Sequence, residues 1–271
     1  MRLVLIRHAH SESNASGILS GRIPNVHLSQ KGVKQSGELA TRLGVFPVAQ
    51  LRISPMERCF ETIAPWINEY VLKTTPNFEP IIDPLLNEVD YGQWSGKRLI
   101  ALSRKKEWKT VQESPSRMYF PGGEGIAAMQ ARAMSSVHQA ASLPDSKVAV
   151  FVSHGDVIKS IVASALGMHL DEFQRIIIDP ASVSVIEYSS VKPRILLVND
   201  TRAVVTDLLQ SPKRSRNLLG GGSGKLDTSS LIPNAVLPEL LVNRESGHSS
   251  FKHAKKGVWS ASRLKKRKYK Q

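Results

Sequence analysis

The chain has 271 residues with 41% hydrophobic and 22% charged side chains, 18 Gly and 15 Pro, a composition that builds a folded core and excludes wholesale disorder and a fibrous protein. Cys59 is the only cysteine, so a disulfide scaffold is excluded and a reducing compartment is expected. The formal net charge of +14 is uneven: residues 211–271 hold 14 Lys/Arg against Asp227, Glu239 and Glu245, leaving +3 of the total on residues 1–210.

In chain order, Arg2–Arg7 is a short apolar run suited to a buried strand. It is too short for a signal peptide and reaches charge too soon, and no run approaches the roughly 20 apolar residues that span a bilayer. A soluble, cytoplasmic protein is therefore expected. Ser29–Leu43 reads as a helix with Ser29 as N-cap and Gly44 as its stop. Residues 50–54 read as a strand, 56–71 as a helix, 124–142 as a long helix, 147–153 as the clearest strand, and 156–166 as a helix ending at Gly167. Residues 182–188 and 194–198 read as late strands. Strands alternating with helices predict an α/β fold around a mainly parallel sheet over residues 1–210. From residue 211 the composition changes to a flexible basic tail, with the linker Gly220-Gly221-Gly222-Ser223-Gly224 and a Lys/Arg-rich end over 263–270. A solvated tail is the plain reading, and an acidic partner or nucleic acid the alternative.

In such sheets, ligands sit beyond the carboxyl ends of the strands. That rule selects Arg7-His8 after the first strand and His154-Gly155 after the strand from residue 147. Arg58 falls in the first turn of the helix that follows another strand, and His154 meets a helix N-terminus, whose free N–H groups attract anions. Two histidines and two arginines at strand ends make an anion pocket, and a phosphoryl group is the anion that uses them all. A metal site on His8, His10 and His154 is disfavoured, since Arg7 and Arg58 repel a cation and carboxylates are the expected neighbours of one.

These motifs resemble the histidine phosphatase superfamily, in its phosphoglycerate mutase-like branch. Arg7-His8-Ala9-His10-Ser11-Glu12-Ser13-Asn14 matches Arg-His-x-x-[Thr/Ser]-x-x-Asn, and Ser54, Arg58 and Thr62 match Ser-x-x-x-Arg-x-x-x-Thr. Leu86-Asn87-Glu88 with Gly92-Gln93-Trp94-Ser95-Gly96, then Pro121-Gly122-Gly123-Glu124, then Ser153-His154-Gly155 match the remaining three motifs in order. Ala9, Cys59 and Gly125 depart from the commoner Gly, Ala and Ser. The resemblance implies a three-layer α/β/α sandwich and a phosphohistidine enzyme. His8 would be the nucleophile, Arg7, Arg58 and His154 the holders of the phosphoryl oxygens, and Glu88 the group that protonates the leaving oxygen and then activates water. Asn14 and Arg22 would add phosphate contacts, and Gly155 would let the backbone approach closely.

The activity so implied is a metal-free phosphatase acting on a small phosphorylated metabolite, with no cofactor. A phosphoglycerate-type mutase with a bisphosphoglycerate primer is the alternative, and a non-catalytic phosphate-binding module a third. Only 66 residues separate Glu88 from His154, whereas mutases of the family generally carry a longer insertion there, which favours hydrolysis. The basic segment from Lys97 to Phe120 is expected to cover the pocket.

Overall fold

Alternation along the first strand decides the layering. In the computed structural model, which describes residues 1–206 apart from Ser146, Ser190, Val191 and Ala203, β1 (Arg2–Arg7) sends Leu3 and Leu5 to one face and Val4 and Ile6 to the other. All four are fully buried. A strand covered on both sides is apolar at consecutive positions, which is the pattern that singled it out.

The chain continues as α1 (Glu12–Ser16), α2 (Gln30–Leu43), β2 (Gln50–Ile53), α3 (Glu57–Trp66), α4 (Leu72–Thr74) and β3 (Ile81–Ile82). Then follow α5 (Leu99–Leu102), α6 (Lys106–Glu113), α7 (Ile126–Ala141), β4 (Val148–Ser153), α8 (Gly155–Ala165), β5 (Val183–Glu187) and β6 (Arg194–Asp200). The sheet order is β3-β2-β4-β1-β5-β6. The first four strands run parallel, and β5 and β6 add antiparallel at the other edge. Leu39 and Leu43 of α2 with Ile63 and Trp66 of α3 cover the Val4 face. Met129 and Ala133 of α7 with Val157 and Ile161 of α8 cover the Leu3 face. The result is the three-layer α/β/α sandwich.

Helix limits follow local chemistry. Ser29 accepts a hydrogen bond from the Gly32 amide as the N-cap of α2, and Gly44 closes that helix at φ 59°. The helix expected over 56–71 is instead divided. Pro65 in α3 has no N–H for the Glu61 carbonyl, which accepts from the Ser36 hydroxyl at 3.1 Å. Residues 67–71 then form a wider π turn before α4. Gly125 leaves the start of α7 without a side-chain cap. No described helix is long and apolar enough to cross a membrane. The boundary at 210 and the tail from 211 lie outside the described residues.

One buried ion pair ties strand β2 to the turn that leads toward Glu88. Arg52 on β2 donates to Asp83 at 2.9 Å and to Gln139 at 2.9 Å. Asp83 also accepts from Ser136 at 2.6 Å and from the Leu85 amide at 2.9 Å. Both charges are buried, so removing one leaves the other without its counter-charge, at a cost of about 3–5 kcal/mol. Asp83→Ala is expected to lose that much in equilibrium denaturation, and Arg52→Met with Asp83→Leu together to lose less. A single-variant loss near zero would contradict this description of the pair.

Candidate active site

Register sets the site. β1 and β4 pair in parallel up to Arg7 and Ser153, and β2 and β4 up to Ile53 and Val152. The three chains therefore leave the sheet at one level and deliver His8, Ser54 and His154 side by side. The rings of His8 and His154 lie 5.2 Å apart, edge to face.

The helices that follow β2 and β4 aim their N-termini at this point. Neither α3, with Met56 at its N-cap, nor α8, with His154 there, has a side-chain cap bond. Both starts therefore keep free N–H groups and a partial positive charge facing the site. Arg58 lies in the first turn of α3, wholly buried. Its Nη2 donates to the Gly21 carbonyl at 2.8 Å and approaches His154 Nδ1 at 3.3 Å, while Nε and Nη1 have no partner among the described residues. Arg7 donates through Nη1 to the Ile178 carbonyl, and its buried Nε is likewise unpartnered. Buried donors without acceptors cost ~1–3 kcal/mol each, more for charged groups, so their accumulation at one point marks a place built for an anion.

His8 is 4% exposed. Its Nδ1 lies 2.8 Å from the Ala9 carbonyl, which only accepts, so Nδ1 carries the proton and Nε2 the lone pair. Burial, then Arg58 and then Arg7, hold the ring's pKa well below the usual histidine range, so it is neutral at pH 7. His154 is fully buried and neutral for the same first two reasons. Its Nδ1 faces the Arg58 donor, so Nε2 carries the proton toward Ser54 Oγ at 2.8 Å. Thr62 joins the parts, accepting from the Ala9 amide at 2.8 Å and donating to the Arg58 carbonyl at 2.7 Å.

Glu88, 9% exposed, has Oε2 3.6 Å from His154 Nδ1. Burial above all, then the Asp156 carboxylate, raises its pKa to about 7, against the opposing pull of Arg58. Asp156, in the first turn of α8, accepts from the Tyr91 hydroxyl at 3.0 Å. Ser153 Oγ donates to the Leu86 carbonyl at 2.7 Å and fixes this loop to the end of β4. The glycines of the two loop motifs have a packing reason: a Cβ on Gly123 would lie 2.1 Å from the Asp90 carbonyl, and one on Gly92 2.3 Å from that of Pro121.

The structure thus gathers Arg7, His8, Arg58, Glu88 and His154. Gly155 packs beneath Arg7, where an added Cβ would meet Cζ at 3.5 Å, an ordinary contact. Asn14 is exposed and uses its Oδ1 in the capping box of α1, accepting from the Ser11 amide and hydroxyl at 3.0 Å each. Arg22 donates to the Glu88 carbonyl and to Glu124, both at 2.8 Å. Asp156 and Tyr91 were not singled out from the sequence, and Ser54 and Thr62 appeared there only as motif positions. The fixed spacing of the last two after β2 was the available signal. Cys59 is buried 3.6 Å from His154 Nε2, and burial pushes its thiol up to about 12, so it is an inert packing group. Among the described residues, no group of three or more His, Cys, Asp or Glu is arranged to hold a metal ion.

Two neutral histidines, two arginines with unspent donors and a protonatable carboxyl, set at the mouths of two uncapped helices, define a phosphoryl-transfer enzyme. The chain belongs to the histidine phosphatase superfamily (branch 1), whose family model matches residues 3–201, and is a phosphomonoester hydrolase of that type, with mutase chemistry adjacent to it. Phosphoserine phosphatase 1 of Hydrogenobacter thermophilus is 29% identical over 203 residues, 74% of this chain and 93% of that protein. The alpha-ribazole phosphatase of Shigella flexneri superposes with a TM-score of 0.66 at 22% identity, covering 75% of this chain and 98% of that one. The Entamoeba histolytica phosphoserine phosphatase, solved with 3-phosphoglyceric acid, gives 0.65 at 21% identity over 74% and 98%.

Proposed function

We propose that the protein hydrolyses a small phosphorylated metabolite, an alkyl phosphate monoester, in two displacements at His8 and without a metal. The carrying observation is the pairing of a neutral His8, with its lone pair on Nε2, and an adjacent buried Arg58 with two unspent donors. In the first displacement, Nε2 forms a bond to phosphorus as the ester P–O bond breaks. The Ala9 carbonyl, holding Nδ1–H, stabilises the positive charge that the imidazole gains. Arg7 and Arg58 hold the non-bridging oxygens with their unspent donors, and His154 would add its one N–H, on Nε2, by turning it from Ser54 Oγ to the phosphoryl group. Glu88, whose raised pKa of about 7 keeps a large share of it protonated at neutral pH, gives its proton to the departing oxygen. In the second, the resulting carboxylate takes a proton from water, whose oxygen attacks phosphorus and releases inorganic phosphate and free His8. Asn14 and the Gly155 amide would add contacts to the bound phosphate, and the segment from Lys97 to Phe120 would contact the rest of the substrate. Relatives named phosphatases support hydrolysis, and others named probable phosphoglycerate mutases keep phosphoryl return as the alternative that the primer separates.

Phosphate release from a panel of phosphorylated metabolites tests this, including phosphoserine and 3-phosphoglycerate, with EDTA present and with and without a bisphosphoglycerate primer. Free phosphate is expected from at least one alkyl ester, unaffected by EDTA. Primer-dependent isomerisation without free phosphate would make the protein a mutase. A folded protein that turns over nothing would make it a binding module.

A further inference from the structure

The backbone carbonyl of Glu88 is gripped by two arginines, and one carboxylate ties them together. Arg22 Nε donates to it at 2.8 Å and Arg132 Nη2 at 3.1 Å. Glu124 Oε1 accepts from Arg22 Nη2 at 2.8 Å, from Arg132 Nη2 at 2.7 Å and from the Asp90 amide at 2.9 Å, and Oε2 accepts from Arg132 Nε at 3.1 Å. Arg132 Nη1 also holds the Leu85 carbonyl at 2.7 Å. The stretch from Leu85 to Asp90 is thereby pinned at three points, with Glu88 between the outer two. The residue before Arg22 supplies the carbonyl that orients Arg58, so a single dipeptide, Gly21-Arg22, spans the phosphate-holding group and the backbone of the carboxyl.

We infer that Arg22, Glu124 and Arg132 form a clasp that positions the Glu88 carboxyl against the leaving oxygen. The inference rests on the reading of Glu88 as the acid and gives Arg22 a positioning role in place of phosphate contact. A general acid works only within hydrogen-bond reach of its target, and misplacing a reacting group by 1 Å costs on the order of 10²-fold in rate. The buried carboxyl chain of Glu88 cannot set that reach alone, because its backbone lies in a loop outside the sheet and helices. The clasp supplies the missing rigidity.

Leaving-group dependence separates positioning from bulk stability. An alkyl phosphate needs its leaving oxygen protonated as the bond breaks, whereas p-nitrophenolate leaves without that help, and kcat/KM reports the steps up to loss of the leaving group. The ratio of kcat/KM for the fastest alkyl ester of the panel to that for p-nitrophenyl phosphate is therefore compared across wild type, Glu88→Gln, Glu124→Gln and Arg22→Met. The last changes a side chain that is one-third exposed, so it keeps the test alive if Glu124→Gln does not fold. The ratio is expected to fall in all three variants, by on the order of 10-fold or more in the two clasp variants. A ratio that falls in Glu88→Gln but stays at the wild-type value in both clasp variants, with or without a lowered melting temperature, overturns the clasp alone. A ratio unmoved by Glu88→Gln overturns the acid reading, and the clasp with it.

Discussion

Arg58→Met is expected to lower kcat/KM by at least ~10³-fold while leaving the melting temperature unchanged or higher. The activity loss follows from the electrostatics. A single arginine that stabilises a transferring phosphoryl group is worth about 10³–10⁵ in rate, and Arg58 offers two unspent donors inside a buried site. The stability gain follows from the same facts with opposite sign. Arg58 is a wholly buried cation near Arg7 with no ion-pair partner among the described residues, and it makes one good hydrogen bond, to Gly21. A thioether chain of similar length fills the volume and removes the desolvated charge. Circular dichroism melting beside steady-state kinetics checks both halves. A variant that loses activity and stability together would mark Arg58 as a structural residue whose loss disorders the site.

Glu88→Gln should abolish the alkaline limb of the pH profile and lower kcat/KM for an alkyl ester by about 10²–10⁴-fold, the usual worth of a positioned general acid. The sign follows from the two shifted groups. His8 must be neutral to attack, and its lowered pKa keeps the acidic limb below the ordinary histidine range. Glu88 must be protonated to assist departure, and with a pKa of about 7 it loses that proton as the pH rises. The wild-type kcat/KM should therefore fall above about pH 7, and the glutamine variant, with no proton to lose, should show no such fall. A wild-type plateau extending to pH 9 would contradict the role assigned to Glu88.

How far the sequence carried depended on whether a feature is written in consecutive residues. β1 and β4 were legible because strands buried on both faces are unbroken apolar runs, and their ends named His8 and His154 directly. β3 was not, because two residues make no pattern, and Ile81 is itself exposed. α5 is a single turn of four residues and α6 sets only Trp108 and Val111 among polar neighbours, too little to show an apolar stripe, yet Leu102, Val111 and the stacking of Trp108 on Trp94 anchor them. The helix expected over 56–71 is helical in the structure through Pro65 to Thr74, but periodicity does not announce the π turn at 67–71 that divides it. Arg22 illustrates the limit at the site. The resemblance offered it as a phosphate contact, but which anion an arginine meets is decided by folding, and here Glu124, over a hundred residues away in sequence, meets it first. Asp156 is of the same kind: nothing about an acid in the first turn of a helix announces that it faces a second carboxyl.

The most direct measurement is a rapid quench of the enzyme with a ³²P-labelled alkyl phosphate from the panel, followed by mapping of the labelled peptide. A label on the peptide containing His8, stable in alkali and lost in acid as a phosphoramidate must be, and missing from His8→Ala, is the expected result. An acid-stable label, a label on another residue, or turnover that survives in His8→Ala would contradict the two-step displacement at His8.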